Sequence, residues 1–243
     1  MAVLENQPTE PNRRTKQVNM KKQVSVVFMA CGILFAICLI IANIVEQKLI
    51  HIGPIEATAG LLIFPFSYIL NDVISEVWGY RNARLIIWMG FFANFLAVAI
   101  FQLSIALPSS EHFLHNQEFN IVLGATLRIT IASFIAFLIG SFLNAYVMSR
   151  MKILQKGRNF SLRAVLSTIV GEGADSLCFF FLAFVGIVPL KDLFLLILTQ
   201  ALMKTLYEII MLPISNKLVR WVKQKEDTDV FDQNIDYNPF NLK

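Results

Sequence analysis

Runs of about 20 residues nearly free of charge set the limits on this fold. An α-helix rising 1.5 Å per residue needs about that length to cross a hydrocarbon core of about 30 Å. The chain holds six such runs. The first, Gln23 to Val45, carries no charge. The second begins near Ala57 and reaches spanning length only by including Asp72 and Glu76, and the third runs from Leu85 to about Leu107. The fourth lies within Phe119 to Met148, with Arg128 near its start. The fifth, Ala164 to Pro189, contains Glu172 and Asp175, and the sixth, Leu193 to about Val219, contains Lys204 and Glu208. Charged residues are 16% of the chain, against about 25% in a soluble domain, which argues against a cytosolic enzyme. The expected fold is therefore all-α: a polytopic membrane protein with six transmembrane helices. Residues 1–22 are expected to form an N-terminal tail, 23–222 the transmembrane domain, and 223–243 a disordered tail rich in Asp, Asn and Gln.

The placement of Lys and Arg orients these helices. Seventeen of the 21 lie before span one, between spans two and three, between four and five, or after six. The opposite side has Lys48 and Lys191 only, and the remaining two, Arg128 and Lys204, lie inside spans. The positive-inside rule then puts both termini in the cytoplasm of a protein whose helices contact membrane lipid. A net charge of +4 that sits at helix ends does not indicate nucleic acid.

Other chemistries find little support. Cys31, Cys38 and Cys178 sit in apolar runs without metal-ligand spacing, and His51, His112 and His115 fall in connecting segments. The polar N-terminus has no small-residue cleavage site ahead of the first apolar run and does not read as a cleaved signal peptide. No catalytic set, cofactor or metal site is expected.

A charge at the bilayer centre costs about 3 kcal/mol on insertion scales, so each one needs a reason. Asp72 and Glu76 share one helix face, as do Glu172 and Asp175, and Gln200, Lys204 and Glu208 form a stripe on span six. Helix midpoints put Asp72, Asp175 and Lys204 near the midplane, with Glu76, Glu172 and Glu208 about one turn nearer the cytoplasm. Each half of the chain has a middle helix with two carboxylates. Three helices per half gives opposite orientations, the pattern of a 3+3 inverted repeat. A purely structural reading pairs Lys204 with Glu208 and Arg128 with a carboxylate across the bundle. The five acids nevertheless outnumber the two bases, an excess that bound protons or a cationic, donor-rich ligand would relieve.

Several segments resemble the queuosine-precursor transporters of the vitamin-uptake-transporter superfamily. They are Phe64-Pro65-Phe66 with Asp72-Val-Ile-Ser-Glu76-Val-Trp-Gly79 and Ala83-Arg84; Arg128-Ile-Thr-Ile-Ala-Ser133; Ser167-Thr168-Ile-Val-Gly171-Glu172-Gly-Ala-Asp175-Ser176 with Phe179-Phe180-Phe181; and Lys204 followed by Pro213. The resemblance implies secondary, proton-coupled uptake of a 7-deazaguanine base such as preQ0 or preQ1, with no enzymatic activity. A homo-oligomer is compatible with it. The substrate-binding candidates are Asp72, Asp175, Lys204, Arg128, Glu76, Glu172, Glu208, Phe66 and Ser167, with Phe66, Tyr68 or Phe179 able to stack on the base. Two other readings stay open. One is the substrate-binding subunit of an energy-coupling-factor transporter, of similar length and helix number. The other is an intramembrane aspartyl-type enzyme using Asp72 and Asp175.

Overall fold

The computed structural model describes residues 25–45, 48–52, 55–124 and 127–241. The expected N-terminal tail, residues 1–22, lies outside them. Among the described residues the regular secondary structure is helical apart from one small antiparallel hairpin. Helix α1 spans Val26–Val45, and strands β1 (Leu49–Ile52) and β2 (Ile55–Thr58) follow, with Leu49 opposite Thr58. Helix α2 covers Phe64–Ala106, α3 Asn116–Leu123, α4 Leu127–Leu154, α5 Phe160–Phe184 and α6 Leu190–Glu226. Five helical stretches are long and apolar enough to cross a membrane. Side chains such as Met29, Ile33, Phe95, Leu198 and Ile210 face outward, as suits a lipid-facing surface. The hairpin occupies the place where the second apolar run was expected to begin as helix.

The 43 residues of α2 would make a rod about 65 Å long, twice the hydrocarbon thickness. The helix breaks at Gly79, whose φ of 80° and ψ of 173° are not helical. Only glycine adopts such a φ without strain, and a Cβ there would lie 2.5 Å from Asp232 Oδ1. Side-chain contacts give the directions. Phe28 at the start of α1 packs on Trp78, so the first part of α2 runs antiparallel to α1. Past the break, Ile86 lies beside Gly32, Phe35 beside Gly90, and Asn43 donates to Asn94 at 2.6 Å, so the second part runs parallel to α1. Helices α4 and α5 are antiparallel and in backbone contact. A Cβ on Gly140 would come within 2.9 Å of the Gly171 carbonyl, and one on Gly171 within 2.8 Å of the Gly140 carbonyl. Bonds from Asn216 to Ser161 and from Lys204 to Glu172 make α6 antiparallel to α5.

The segment after α6 departs from the expected disorder. It forms a strap across the end of the bundle where Lys and Arg are concentrated. Val230 N donates to the Val77 carbonyl at 3.0 Å. The buried Asp232 carboxylate accepts from Tyr80 N at 2.8 Å and Ser149 Oγ at 2.6 Å, meeting the amide freed by the break at Gly79. Arg84 donates to the carbonyls of Asp236 and Asn238, Trp88 Nε1 to that of Pro239, and Tyr80 OH to that of Tyr237. Asp229 bonds Lys152 and Lys223. Burial alone would raise the Asp229 carboxyl, but these two ammonium groups outweigh it and hold it below the usual carboxylate range.

Asp232→Ala removes the one oxygen, Oδ2, that accepts from both Tyr80 N and Ser149 Oγ, and should lower stability by about 1–3 kcal/mol. A fall in the thermal midpoint and faster chymotryptic cleavage at Phe231 and Tyr237 would report it. An unchanged midpoint and cleavage rate would make the strap incidental. Because the Asp229 carboxyl is depressed in the fold, its contribution is present above the unfolded carboxylate value and is lost as pH falls through the folded one. Strap cleavage should therefore speed up on acidification, and Asp229→Asn should flatten that dependence.

Candidate functional site

The stripe on α5 and the stripe on α6 meet. Glu172 and Asp175, three apart on one face of α5, receive Lys204 Nζ at 2.9 Å and 2.7 Å. Tyr68, four residues from Phe64 on α2, donates its hydroxyl to the same Glu172 oxygen at 2.7 Å. The Phe64 and Tyr68 rings stack at 6.0 Å with an interplanar angle of 5°, and Lys204 Nζ lies 5.2 Å from the Phe64 centroid. Glu172 and Lys204 are buried, and Asp175 is half-buried. One ammonium serves two carboxylates here, so the group keeps a net negative charge.

These residues border a cavity of about 410 Å³ to which every membrane-crossing helix contributes. Phe101, Phe134, Phe137, Phe179, Phe180 and Phe184 form apolar walls, and Asn43, Asn71, Asn94, Asn144, Ser176 and Gln200 add polar atoms. An apolar chamber with a few convergent polar groups is the usual form of a small-molecule site. The cavity reaches toward the Lys/Arg-poor end, where Gln102, Val122, Leu123 and Phe184 line it.

Of the nine expected site residues, Glu172, Asp175 and Lys204 line this cavity. Asp72 and Glu208 are 0% and 1% exposed and do not line it, and none of their four carboxylate oxygens has a hydrogen-bond partner among the described residues. Asn144 is close enough to Asp72 to influence it without meeting hydrogen-bond geometry. Glu76 faces the Lys/Arg-rich end, bound by Arg163 Nη2 and Lys223 Nζ at 2.7 Å each, with Lys152 Nζ at 3.9 Å. Arg128 is exposed and pairs with no carboxylate. It donates to the Leu182 and Val185 carbonyls at 2.8 and 2.7 Å, satisfying the C-terminal end of α5. Phe66 is 52% exposed and points away from the cavity, which takes Phe64 and Tyr68 instead. Ser167 is buried and bonds its own helix at Ala164.

Two corrections follow for the intramembrane charges. Lys204 pairs across to α5 and not with Glu208 on its own helix. The acid excess is also smaller than the count of five against two, because Arg163, Lys152 and Lys223, which read as flanking charges, fold back onto Glu76. Tyr68 and the Asn43–Asn94 bond were the polar contributions that spacing alone did not select. Tyr68 follows Phe64 by one turn on the Asp72 helix, and that register was the available signal.

Residues 58–217 match the family described as "Putative vitamin uptake transporter". The chain is 24% identical to the "Probable queuosine precursor transporter" of Bacillus subtilis over 76% of this chain and 81% of that protein. It is 30% identical to the "Queuosine precursor transporter" of Escherichia coli over 59% of this chain and 62% of that protein. A "Probable queuosine precursor transporter" of Haemophilus influenzae is 27% identical over 53% of this chain and 52% of its own length. No solved structure matches the chain.

Lys204→Met removes the counterion of two buried carboxylates and should cost about 3–5 kcal/mol. Adding Glu208→Gln should not repair the loss, because Glu208 is not its partner, whereas adding Glu172→Gln and Asp175→Asn should restore much of it. Thermal unfolding in detergent distinguishes the two. Rescue by Glu208→Gln would contradict the pairing described here.

Proposed function

The chain belongs to the vitamin uptake transporter family, and from that premise we propose that it is a secondary transporter that imports a 7-deazaguanine base, such as preQ0 or preQ1, across the inner membrane with a coupled proton. The names of its relatives, all queuosine precursor transporters, support this class of substrate. The observation that carries the reading is the single ammonium of Lys204 held between Glu172 and Asp175 beneath an aromatic chamber. A guanine-like edge presents adjacent N–H donors to a carboxylate, and Lys204 can turn one of its donors to the ring carbonyl. An aminomethyl substituent carries the positive charge that the group lacks. The flat ring stacks on Phe64, Tyr68 or Phe179.

Six spans with both termini in the cytoplasm accord with this function. The reversal at Gly79 supports dividing α2 into two spans, which gives six helices of alternating direction. The two middle helices, the first part of α2 and α5, run antiparallel through the Tyr68–Glu172 and Glu76–Arg163 bonds, which supports a 3+3 inverted repeat. In this arrangement the cavity faces outside. The Glu76 cluster and the strap close the cytoplasmic side and must part for the base to enter the cell.

Expression of this chain alone in a precursor-requiring strain tests the proposal. Labelled preQ0 or preQ1 should accumulate, resist competition by adenine, and do so without any ATPase partner. Asp175→Asn should lower uptake by about tenfold or more at unchanged membrane levels, since it loses a charged acceptor. Uptake that requires an added ATPase and coupling protein would favour the energy-coupling-factor reading. Reporter fusions after Arg158 and Lys225 should report cytoplasm and one near Glu111 the outside. A cytoplasmic signal at Glu111 would sink the six-span arrangement.

A further inference from the structure

Two of the buried acids have no role in holding the cavity's ammonium and no counterion of their own. Asp72 lies one turn from Tyr68 in one direction and one turn from Glu76 in the other, and Glu208 lies one turn from Lys204. They therefore sit between the cavity floor and the Glu76 cluster. Asp72 and Glu208 act on one another electrostatically, and the other acids acting on Asp72 are Glu76 on its own helix and Glu172 on α5. The neighbouring cations are engaged elsewhere: Lys204 by Glu172 and Asp175, Arg163 and Lys223 by Glu76, and Lys152 by Asp229 and Val230. Helix α1 is uncharged throughout, and the charges of α4 are Arg128 at its far end and Arg150 and Lys152 at its near end. The two carboxyls are thus both buried, with none of their four oxygens partnered among the described residues.

We propose that Asp72 and Glu208 form the binding site of the coupling proton, separate from the substrate cavity. Two buried carboxylates that act on one another in a medium of low dielectric constant are costly to keep ionised without a cation, and one shared proton relieves that cost. A metal ion is the other species that could neutralise them. Among the described residues no group of three His, Cys, Asp or Glu is placed to hold a transition metal, and an oxygen-bound cation such as sodium is left to the experiment below. Asn144 is the link to the cavity. It lines the floor, neighbours Asp72, and neither its amide nitrogen nor its oxygen has a partner. It is placed to donate to Asp72 when the proton has left. The occupied pair carries one negative charge in place of two, which eases rearrangement of the cytoplasmic cluster around it. The empty pair repels Glu76 and Glu172 and resists that movement.

This inference rests on the transport reading, so the experiment separates the two. Purified protein in liposomes is assayed for labelled preQ1 by exchange between equal concentrations, which needs binding and movement but no driving force, and by accumulation under an inward proton gradient. Asp72→Asn and Glu208→Gln should each lower accumulation by about tenfold or more and leave exchange within about threefold of wild type. Infrared spectroscopy of the substrate-free protein should show a protonated-carboxyl band, sensitive to deuterium, that both substitutions diminish. Loss of exchange together with accumulation would move these acids into the substrate site. Unchanged accumulation, a wild type driven by sodium and not by protons, or a carboxyl band indifferent to both substitutions would each overturn the assignment. Absence of exchange in the wild type would refute the transport reading alone, and the infrared band would still decide the proton site.

Discussion

A carboxylate shut away from water holds the bundle together at one end. Glu76 comes from α2, and its partners come from three other helices: Lys152 from α4, Arg163 from α5 and Lys223 from α6. Removing one side of such a buried group leaves an uncompensated charge at a cost of about 3–5 kcal/mol, so the four helices are tied into one geometry. Lys152 extends the node to the Glu76 carbonyl, Asp229 and the Val230 carbonyl, which ties the strap to the same point. The cavity above it is closed at this end because the node is closed.

The ionisable residues then fall into three depths with different conditions. Around Glu76, cations outnumber the acid. At the cavity floor, Lys204 serves two acids beside a chamber that a ligand can enter. Between these lie Asp72 and Glu208, with no partner. A carrier that exposes its site to one side and then the other needs a part that changes charge state and a part that opens. In the proposed mechanism the two are one helical turn apart on α2, at Asp72 and Glu76, and that short separation links protonation to opening.

Much of this was legible in the amino-acid order. Apolar run length located α1 and α5 to within five residues, while α4 and α6 run on six and seven residues past their expected ends to Leu154 and Glu226. The pairs Glu172–Asp175 and Lys204–Glu208 stood out because charge inside such runs needs a reason. What escaped was long-range. The partners of Glu76 looked like ordinary flanking cations, since nothing local marks a Lys at a helix end that folds inward. Phe66 was the aromatic beside the motif, but helical register turns Phe64 and Tyr68 to the cavity in its place. The C-terminal segment has the composition of a disordered tail because its order comes from donors about 150 residues away, Tyr80, Arg84 and Trp88, and from a few scattered apolar residues, such as Ile235 and Tyr237, that pack on the core.

That separation has a consequence for how the protein is made. A ribosome delivers the chain N-terminus first. Tyr80 and Arg84 therefore emerge 152 residues before their acceptors in the strap. Until the strap has been made, the Tyr80 amide and the Arg84 guanidinium lack those acceptors, and the surface around Gly79 stays open. A chain that ends at Glu226 contains every membrane-crossing helix and still lacks the groups that complete this end. Docking of the strap thus follows the synthesis of α6 and comes after the helices it ties together.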